Sequence, residues 1–505
     1  MDNKTILAII LSIAVIIGYQ FLFPPQQPEV KPPQPVAGKK TEASAPVTVP
    51  VTSEAAPAEE KELRVENEFY SAVLSSKGGT VKSWAIKAYK DKKGQDVILL
   101  EKPGVLPALS LGANDSFDLA NVNFSVSGTD LKLDKSKSSG TIAFEYSREG
   151  IAIRRTYTFY ADSYKVDISD EVSGLPEYWV SLGSDFGIYE SNESSTHVGP
   201  VLLTGTDLEE LKAKKLKEPK IFRENLKWIA QEDKYFFSAL VPASPVEEAK
   251  AWMYKDSPVI AFKSKAGVNK FTLYAGPKEH ERLEKLNIGL EHIIDYGFFS
   301  IIARPIFWIL LFFYRFFGNY GWAIIMVTIV TRIPFIPLLN KGQKSMRKLQ
   351  ELQPKMAEIR EKYKKDPQKM QQEMTALYKK NKVNPVGGCL PMLLQIPVFF
   401  ALYKVLLIAI ELRGAPFMLW VTDLSAKDPY FILPVVMGIT MVIQQKMTPS
   451  TMDPKQAKLM MLMPVVFTFM FLNFASGLVL YWLVNNILSI IQQFFVNKKL
   501  AKQQA

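Results

Sequence analysis

Hydrophobic positions follow two different patterns along this 505-residue chain. From Leu63 to about Pro277, apolar and polar residues alternate in short runs that end at turn residues, as in RVENEFYSAVLSS before Gly78 and Gly79. Alternation with a period of two is typical of half-buried strands. Because helical segments do not separate these runs, the pattern predicts an antiparallel, all-β sandwich domain over residues 63–280.

The second half of the chain contains long apolar runs instead. They predict a membrane core over residues 318–497 with five transmembrane helices, at about 320–339, 390–410, 430–445, 459–474 and 478–496. A sixth run predicts a signal-anchor helix at residues 1–23. We expect this anchor to be retained, because Pro24 and Pro25 follow at once and no small-residue cleavage pattern ends the run. The predicted fold class is therefore an α-helical membrane protein with six transmembrane helices and an all-β domain.

Two segments connect these parts. Residues 24–62 are rich in Pro, Ala, Glu and Val without an apolar period, which predicts a semi-extended linker. Residues 290–317 are apolar but include Asp295, Arg304 and Arg315. These charges make the segment a poor span. We expect an amphipathic helix that lies along the outer surface of the membrane that the other helices cross.

The net charge of +11 is concentrated rather than spread over a folded basic face, which argues against a nucleic-acid partner. Thirteen basic and five acidic residues between Lys341 and Lys382 leave a net charge of +8 in the loop after the second span. If the N-terminus is cytoplasmic, six spans place this loop, the segment from Lys446 to Lys458 and a basic tail at 498–505 in the cytoplasm, as the positive-inside rule requires. Both termini are then cytoplasmic, and residues 24–317 lie on the other side.

The basic loop, residues 341–386, has its own helical pattern. Apolar residues recur at spacings of three and four, which predicts a hairpin of two helices: Leu349, Leu352, Met356 and Ile359, then Met370, Met374 and Leu377. Asp366 and Pro367 predict the start of the second helix, and Pro354 should bend the first. The basic side chains either form a solvated face that sets topology, or attract a ribosome or nascent chain.

Polar residues inside the spans are the candidates for chemistry. Arg332 stands in the second predicted span, and Thr328 lies one turn earlier on the same face. An intramembrane arginine marks a functional site by default, although its side chain could instead extend to the interface. Other polar residues could line a hydrated concavity with Arg332 or make interhelical hydrogen bonds: Gln395, Asn473, Asn485, Asn486, Gln492 and Gln493.

Enzymatic chemistry finds little support in the sequence. The chain has no zinc-peptidase HExxH motif, no GxSxG nucleophile elbow and no phosphate-binding GxxxxGK[ST] loop. All three histidines precede the second span, which excludes an intramembrane histidine-dependent or metal site. Cys389 is the single cysteine, so no intrachain disulfide can form. We therefore expect neither an enzyme nor a cofactor.

Two other classes remain open at this stage. A channel or secondary transporter would also need polar residues in its spans, but the five unequal runs lack the internal symmetry that transporters often have. A sugar-binding envelope protein anchored by its helices would rest on fold likeness alone. Transport of a ligand by vesicles, against insertion of a test protein by vesicles, would separate these classes.

Three segments carry a family resemblance. NYGWAIIMVTIVTRIPFIPL, NPVGGCLPMLLQIPVFFALY and ASGLVLYWLVNNILSIIQQ resemble, in order and spacing, the hallmark span sequences of the YidC family of bacterial membrane protein insertases. The resemblance covers nearly the whole chain. It implies that the chain inserts, folds and assembles proteins in the bacterial inner membrane, alone or with the Sec translocon. The implied partners are nascent membrane proteins, the ribosome, the Sec translocon and the lipid bilayer.

The resemblance also implies a hydrophilic groove that is open to the cytoplasm and to lipid but closed on the outside. A positive residue in this groove would attract the polar part of a substrate, and Arg332 matches that residue. Thr328, Tyr481 and Trp482 correspond to positions that look substrate-facing, and Gln395 and Asn473 complete the expected groove. The family fold implies that the β domain is a periplasmic β-supersandwich, similar to sugar-binding mutarotase domains.

Two features depart from the family pattern. Lys404 stands where an uncharged residue is expected; it is seven residues before Glu411, so both should share one face of the third span. The simpler interpretation is that the side chain of Lys404 extends toward the outer surface of the membrane. The short basic tail lacks the long extension of some family members, which puts ribosome binding through the tail in question.

Overall fold

The computed structural model describes residues 59–91, 93–101, 104–190, 196–381, 390–447 and 454–504. The predicted signal anchor at 1–23 and most of the linker at 24–62 lie outside the described residues, as does Cys389. The account below concerns the described ranges.

The described residues between 62 and 277 form an all-β domain, which confirms the predicted fold class for this region. A 5-stranded sheet has the order β4-β3-β2-β1-β7, and a 12-stranded sheet is built around β12-β11-β14-β15-β17-β10-β9-β8-β6. The strands are β1 Glu62–Glu66, β2 Tyr70–Ser75, β3 Thr80–Lys90, β4 Asp96–Leu100, β5 Leu111–Gly112, β6 Ser125–Ser127, β7 Leu131–Lys132, β8 Ser139–Arg148, β9 Ile151–Tyr160, β10 Lys165–Ser181, β11 Gly199–Thr204, β12 Asp207–Glu210, β13 Lys220–Phe222, β14 Leu226–Glu232, β15 Phe236–Pro242, β16 Glu248–Tyr254 and β17 Ser257–Pro277.

Alternation in the sequence becomes alternation of burial in β9. Ile153, Tyr157 and Phe159 point into the core, and so does Arg155, which is fully buried. Its guanidinium is satisfied by the neighbouring strand β10: Nε and Nη2 donate to the two carboxylate oxygens of Asp170, each at 2.7 Å. This fully buried, bidentate pair lets a charged residue occupy a core position.

The rest of the described chain is helical. Its helices are α1 His280–Leu286, α2 Ser300–Phe317, α3 Tyr320–Arg332, α4 Ile336–Glu351, α5 Gln353–Lys362, α6 Pro367–Lys380, α7 Leu390–Ile408, α8 Ile432–Met447, α9 Pro454–Phe471 and α10 Ser476–Gln504. Among the described residues, three helical segments are long and apolar enough to cross a membrane: Gly297–Phe317, Tyr320–Glu351 and Ser476–Lys498. Three further apolar helices are shorter: Gln395–Ile408, Ile432–Met447 and Met460–Phe471.

The segment predicted as an interfacial helix at 290–317 differs from expectation. Continuous α-helix begins only at Ser300, after two 3₁₀ turns, because Gly297 has a left-handed φ of +68° that interrupts a right-handed helix. The segment also qualifies as a span by length and composition. Arg304 and Arg315 are its only charges between 297 and 317, which is few enough for a membrane helix.

Helical structure continues past Leu339, the predicted end of the second span. Helix α3 ends at Arg332, a 3₁₀ turn covers Ile333–Phe335, and α4 then continues into the predicted hairpin as far as Glu351. Pro334 and Pro337 explain this course: each lacks a backbone N–H donor, and each stands in the first turn of the element that follows. The first hairpin helix is therefore an extension of the span.

The bend expected at Pro354 lies two residues earlier. Helix α4 stops before Leu352, and Pro354 occupies the first turn of α5, where its missing N–H costs no helical hydrogen bond. The side chain of Asp366 accepts a hydrogen bond from the backbone N–H of Lys369 and caps α6. A small apolar cluster holds these helices together: Leu349, Leu352 and Met356, with Met346, Met374, Leu377 and Tyr378 against them.

The end of α7 also corrects a prediction. The helix ends at Ile408, and Glu411 lies in a separate 3₁₀ turn, Ile410–Leu412, so Lys404 and Glu411 do not share a helical face. The chain becomes extended at Ala409, and the side chain of Ile410, 1% exposed, joins the hydrophobic core of the β domain. The loop after α7 is therefore fastened to the β domain.

The C-terminal segment is not a separate tail. Helix α10 runs from Ser476 to Gln504 and so includes most of residues 498–505. Lysine, alanine and glutamine are good helix formers, and the segment has no glycine or proline to end the helix.

Candidate functional site

Arg332 is the last residue of α3, and its side chain points into the helical core with 8% of the residue exposed. Its guanidinium is held by α10. Nη1 donates to Oδ1 of Asn485 at 2.7 Å and to the backbone oxygen of Asn485 at 3.1 Å. Nη2 donates to Oε1 of Gln492 at 3.0 Å. Asn485 and Gln492 are seven residues apart, so one face of α10 provides all three acceptors.

The hydrogen-bond network extends to two more helices. From α7, Nε2 of Gln395 donates to the same Oδ1 of Asn485 at 3.0 Å. From α4, Oδ1 of Asn340 accepts from Nε2 of Gln492 at 2.8 Å. Four helices therefore meet at one guanidinium through neutral amide groups.

The charge of Arg332 has no counter-ion in the part of the chain that the structure describes, where its hydrogen-bond acceptors are the oxygens of Asn485 and Gln492. A buried cation without an anion is costly, and proteins retain such groups where they act on something else. In the structure, the side chain of Arg332 turns toward α10 and donates hydrogen bonds to it.

Thr328 lies one turn before Arg332 and is 1% exposed. Its hydroxyl donates to the backbone oxygen of Ile324 at 2.7 Å, so it bonds to its own helix. Asn473 is not brought to this network. It lies exposed in the turn between α9, which ends at Phe471, and α10, and Asn485 is about 14 Å further along α10 than Ser476.

Tyr481 and Trp482 both pack near the ring of Phe399. Tyr481 lies one turn before Asn485 on the same face of α10 and is 3% exposed. Trp482 is half-buried in an aromatic cluster, with its ring centroid 4.9 Å from that of Phe399 and 5.1 Å from that of Phe471. The aromatic cluster thus packs beside the Arg332 network.

Comparison with known proteins decides the family. The model of the 60 kDa inner membrane protein family matches residues 312–503, and the YidC periplasmic domain model matches residues 62–309. The membrane protein insertase YidC of Geobacter metallireducens is 41% identical over 539 residues, which cover 100% of both chains. The chain belongs to the YidC family of membrane protein insertases.

A second full-length relative agrees with this assignment. The membrane protein insertase YidC of Geotalea uraniireducens is 41% identical over 531 residues, covering 99% of this chain and 100% of the relative. A solved structure of an active YidC insertase with its first transmembrane domain resolved is 18% identical, has a TM-score of 0.40, and covers 86% of this chain and 92% of that chain. As a YidC family member, the chain is an integral inner-membrane protein.

The open groove expected for the YidC family is closed at these residues. Arg332, Thr328 and Tyr481 are all less than a tenth exposed. The cause is local: the amides of Asn485 and Gln492 fill the space beside the guanidinium. An occupant could reach Arg332 only if α10 and α3 separated there.

Some residues of this site could be predicted from the sequence, and others could not. Arg332, Thr328 and Gln395 are visible as polar residues in apolar runs. Asn485 and Gln492 are visible in the same way. Their pairing with Arg332, more than 150 residues earlier in the chain, cannot be read from the sequence. Asn340 was missed, because it follows the predicted end of the second span and looks like a loop residue.

Proposed function

We propose that this chain inserts, folds and assembles integral proteins of the bacterial inner membrane, and that Arg332 attracts the polar, translocated part of a substrate. The observation that carries the proposal is a buried guanidinium held by neutral amide oxygens. The names of its full-length relatives, which are 41% identical and called membrane protein insertases, support the same function.

The attraction works because charges interact more strongly away from bulk water. A carboxylate that approaches Arg332 between the helices feels a field less screened than in the cytoplasm. Local hydration of the opened space would keep part of the solvation of both ions, so the carboxylate is drawn in without the full cost of a dry environment.

The apolar part of the substrate has a separate surface to follow. Val435, Ile439 and Ile443 recur every four residues on α8, and all three are exposed. A substrate helix can slide along such a stripe into lipid, where burial of its apolar side chains supplies the driving force. Insertion then needs neither a cofactor nor a catalytic step.

The remaining candidate residues have supporting roles in this proposal. Gln395 orients Asn485 beside the guanidinium, and Thr328 and Tyr481 line the approach from α3 and α10 once the helices part. Trp482 provides an aromatic surface for the substrate helix. Asn473, in its exposed turn, is left outside the groove.

Topology and partners belong to the same proposal. Both termini are cytoplasmic and residues 24–317 lie in the periplasm, as the basic segments require. The hairpin with its net charge of +8 then faces the cytoplasm, where it can dock on the acidic surface of a ribosome. The Sec translocon is a partner for substrates with several spans.

Reconstitution tests this function directly. The purified full-length chain is placed in lipid vesicles and given a small test protein with one apolar span and an acidic translocated segment. Protease protection of that segment should rise well above the level of protein-free vesicles. Equal protection in both kinds of vesicle would contradict insertase function, and ligand uptake without protection would favour a transporter.

A further inference from the structure

The acceptors of Arg332 are held in place from both sides. Oδ1 of Asn485 receives Arg332 on one side and Gln395 on the other. Gln492 donates its amide nitrogen to Asn340, which turns its oxygen toward the guanidinium. Neither amide is free to leave Arg332 by a simple side-chain rotation, because each would also lose its second partner.

We propose that Asn485 and Gln492 form an amide latch, which occupies the substrate-binding side of Arg332 and is displaced only by a carboxylate. This inference rests on the proposed function of Arg332. It assigns a specificity-determining role to two residues of α10, whose side chains compete with the substrate for the same guanidinium.

The competition follows from hydrogen-bond strengths. A carboxylate accepts two parallel N–H bonds from a guanidinium, and it adds the attraction between opposite charges, which a neutral amide oxygen lacks. An acidic segment therefore gains by replacing the two amide oxygens. An uncharged polar segment offers the same kind of acceptor that the amide latch already provides, so it gains nothing by the exchange, and the latch excludes it.

Replacing the latch by an internal carboxylate should abolish this selectivity. Asn485→Asp keeps the shape of the side chain but pairs Arg332 permanently with an anion. We expect the ratio of insertion rates, acidic over uncharged test protein, to fall about tenfold, the effect of turning one hydrogen bond between a cation and a neutral amide into a partly hydrated ion pair. Gln492→Glu should lower the same ratio and serves as the second variant if Asn485→Asp fails to accumulate.

Removing the side-chain oxygen of Asn485 should change insertion differently from giving that side chain a negative charge. Asn485→Leu keeps a similar volume but leaves Nη1 without the side-chain oxygen, so uncharged segments meet less competition. Their insertion should rise toward that of acidic segments, while acidic insertion persists. If Asp and Leu at position 485 lower acidic insertion equally, the latch is wrong and Asn485 serves only packing.

Asn486 provides a matched control one residue along α10. It is 4% exposed, more deeply buried than the half-buried latch residues, and its side-chain nitrogen donates to Oγ1 of Thr440 on α8 at 3.2 Å. Asn486→Asp adds the same charge to another face of the helix and should keep the acidic-to-uncharged ratio of the unmodified chain.

The outcomes separate the latch from the function on which it rests. A wild-type ratio in both Asn485→Asp and Gln492→Glu, or an equal fall in Asn486→Asp, would overturn the latch while insertion through Arg332 stands. If the Arg332→Ala variant inserts the acidic test protein at the same rate as the unmodified protein does, the proposed role of Arg332 is wrong. The latch proposal, which depends on that role, is then wrong too.

Discussion

The guanidinium carbon of Arg413 lies 5.0 Å from the ring centroid of Phe236, which joins the loop after α7 to strand β15 of the β domain. Two more rings of the β domain surround the same cation, Tyr189 at 5.3 Å and Tyr235 at 5.5 Å. Together with the burial of Ile410 in the β-domain core, this aromatic cage fixes the C-terminal end of α7. That helix also carries Gln395, at the edge of the Arg332 network.

Arg413→Ala should loosen this attachment. A desolvated cation–π contact is worth about 2 kcal/mol, which corresponds to roughly 30-fold faster opening of the loop. Hydrogen–deuterium exchange of the backbone amides between 409 and 421 in the full-length protein measures that opening. Exchange in Arg413→Lys should be faster than in the unmodified protein but slower than in Arg413→Ala, because a lysine ammonium keeps the charge but has no planar face to stack on the rings.

Arg315→Ala is the matched control for the cage. Arg315 also forms an ion pair, with Glu281, but its side chain is 70% exposed. Exposed pairs contribute less than about 1 kcal/mol, so exchange in the loop should stay close to that of the unmodified chain. Equal effects of the two substitutions would mean that the cage contributes no more than a surface contact.

Glu411 makes the same attachment sensitive to pH. Burial raises the pKa of its carboxyl group to about 7, and the carboxylates of Glu279 and Glu281 add to the rise. A pKa raised in the docked state means that docking favours the neutral acid. Docking is therefore strongest below the ordinary pKa of 4.5 and weakens as the pH rises through about 7.

Distances between spin labels on the β domain and on α8, measured at pH 5 and pH 8, test this dependence. The docked distance should dominate at pH 5 and a second population should appear at pH 8. Glu411→Gln should hold the docked distance at both values. A pH response that persists in Glu411→Gln would assign the response to another group.

The hairpin formed by α5 and α6 carries the third prediction. Lys364, Lys365 and Lys369 are exposed at the turn between α5 and α6. Changing all three to glutamine should weaken co-sedimentation with ribosomes, and the difference should shrink as salt screens the attraction. Changing the exposed lysines 132, 135 and 137 of the β domain removes the same charge and should leave ribosome binding intact. Equal losses would show an effect of net charge rather than of the hairpin.

The pattern of apolar residues along the chain predicted those parts of the fold that depend on residues close together in sequence. The alternation predicted for residues 63–280 is seen in β9 as alternating burial of Ile153, Tyr157 and Phe159. Hydrophobicity alone, however, treats Pro334 and Pro337 as apolar residues within a span, although they end one helix and start the next. Asn473 was assigned to a span because an apolar run does not show where the chain must turn.

Contacts between distant residues were beyond sequence reasoning. Arg332 and Asn485 are 153 residues apart, and their pairing depends on how α3 and α10 cross. Nothing in the sequence near Ile410 or Arg413 indicates that Ile410 joins the core of the β domain or that Arg413 contacts its aromatic rings. The sequence shows which residues are unusual, whereas their partners depend on tertiary packing.

The central claim is that the positive charge of Arg332 drives insertion of acidic segments, and one measurement tests it most directly. Purified Arg332→Lys and Arg332→Ala proteins are reconstituted at equal amounts, and the insertion of matched acidic and uncharged test proteins is compared. Charge attraction predicts that Lys retains much of the acidic insertion, that Ala loses it, and that the uncharged protein is affected less. Equal acidic insertion by Lys and Ala would contradict the account, and failure of Lys as complete as that of Ala would show that bidentate guanidinium geometry, not charge alone, is required.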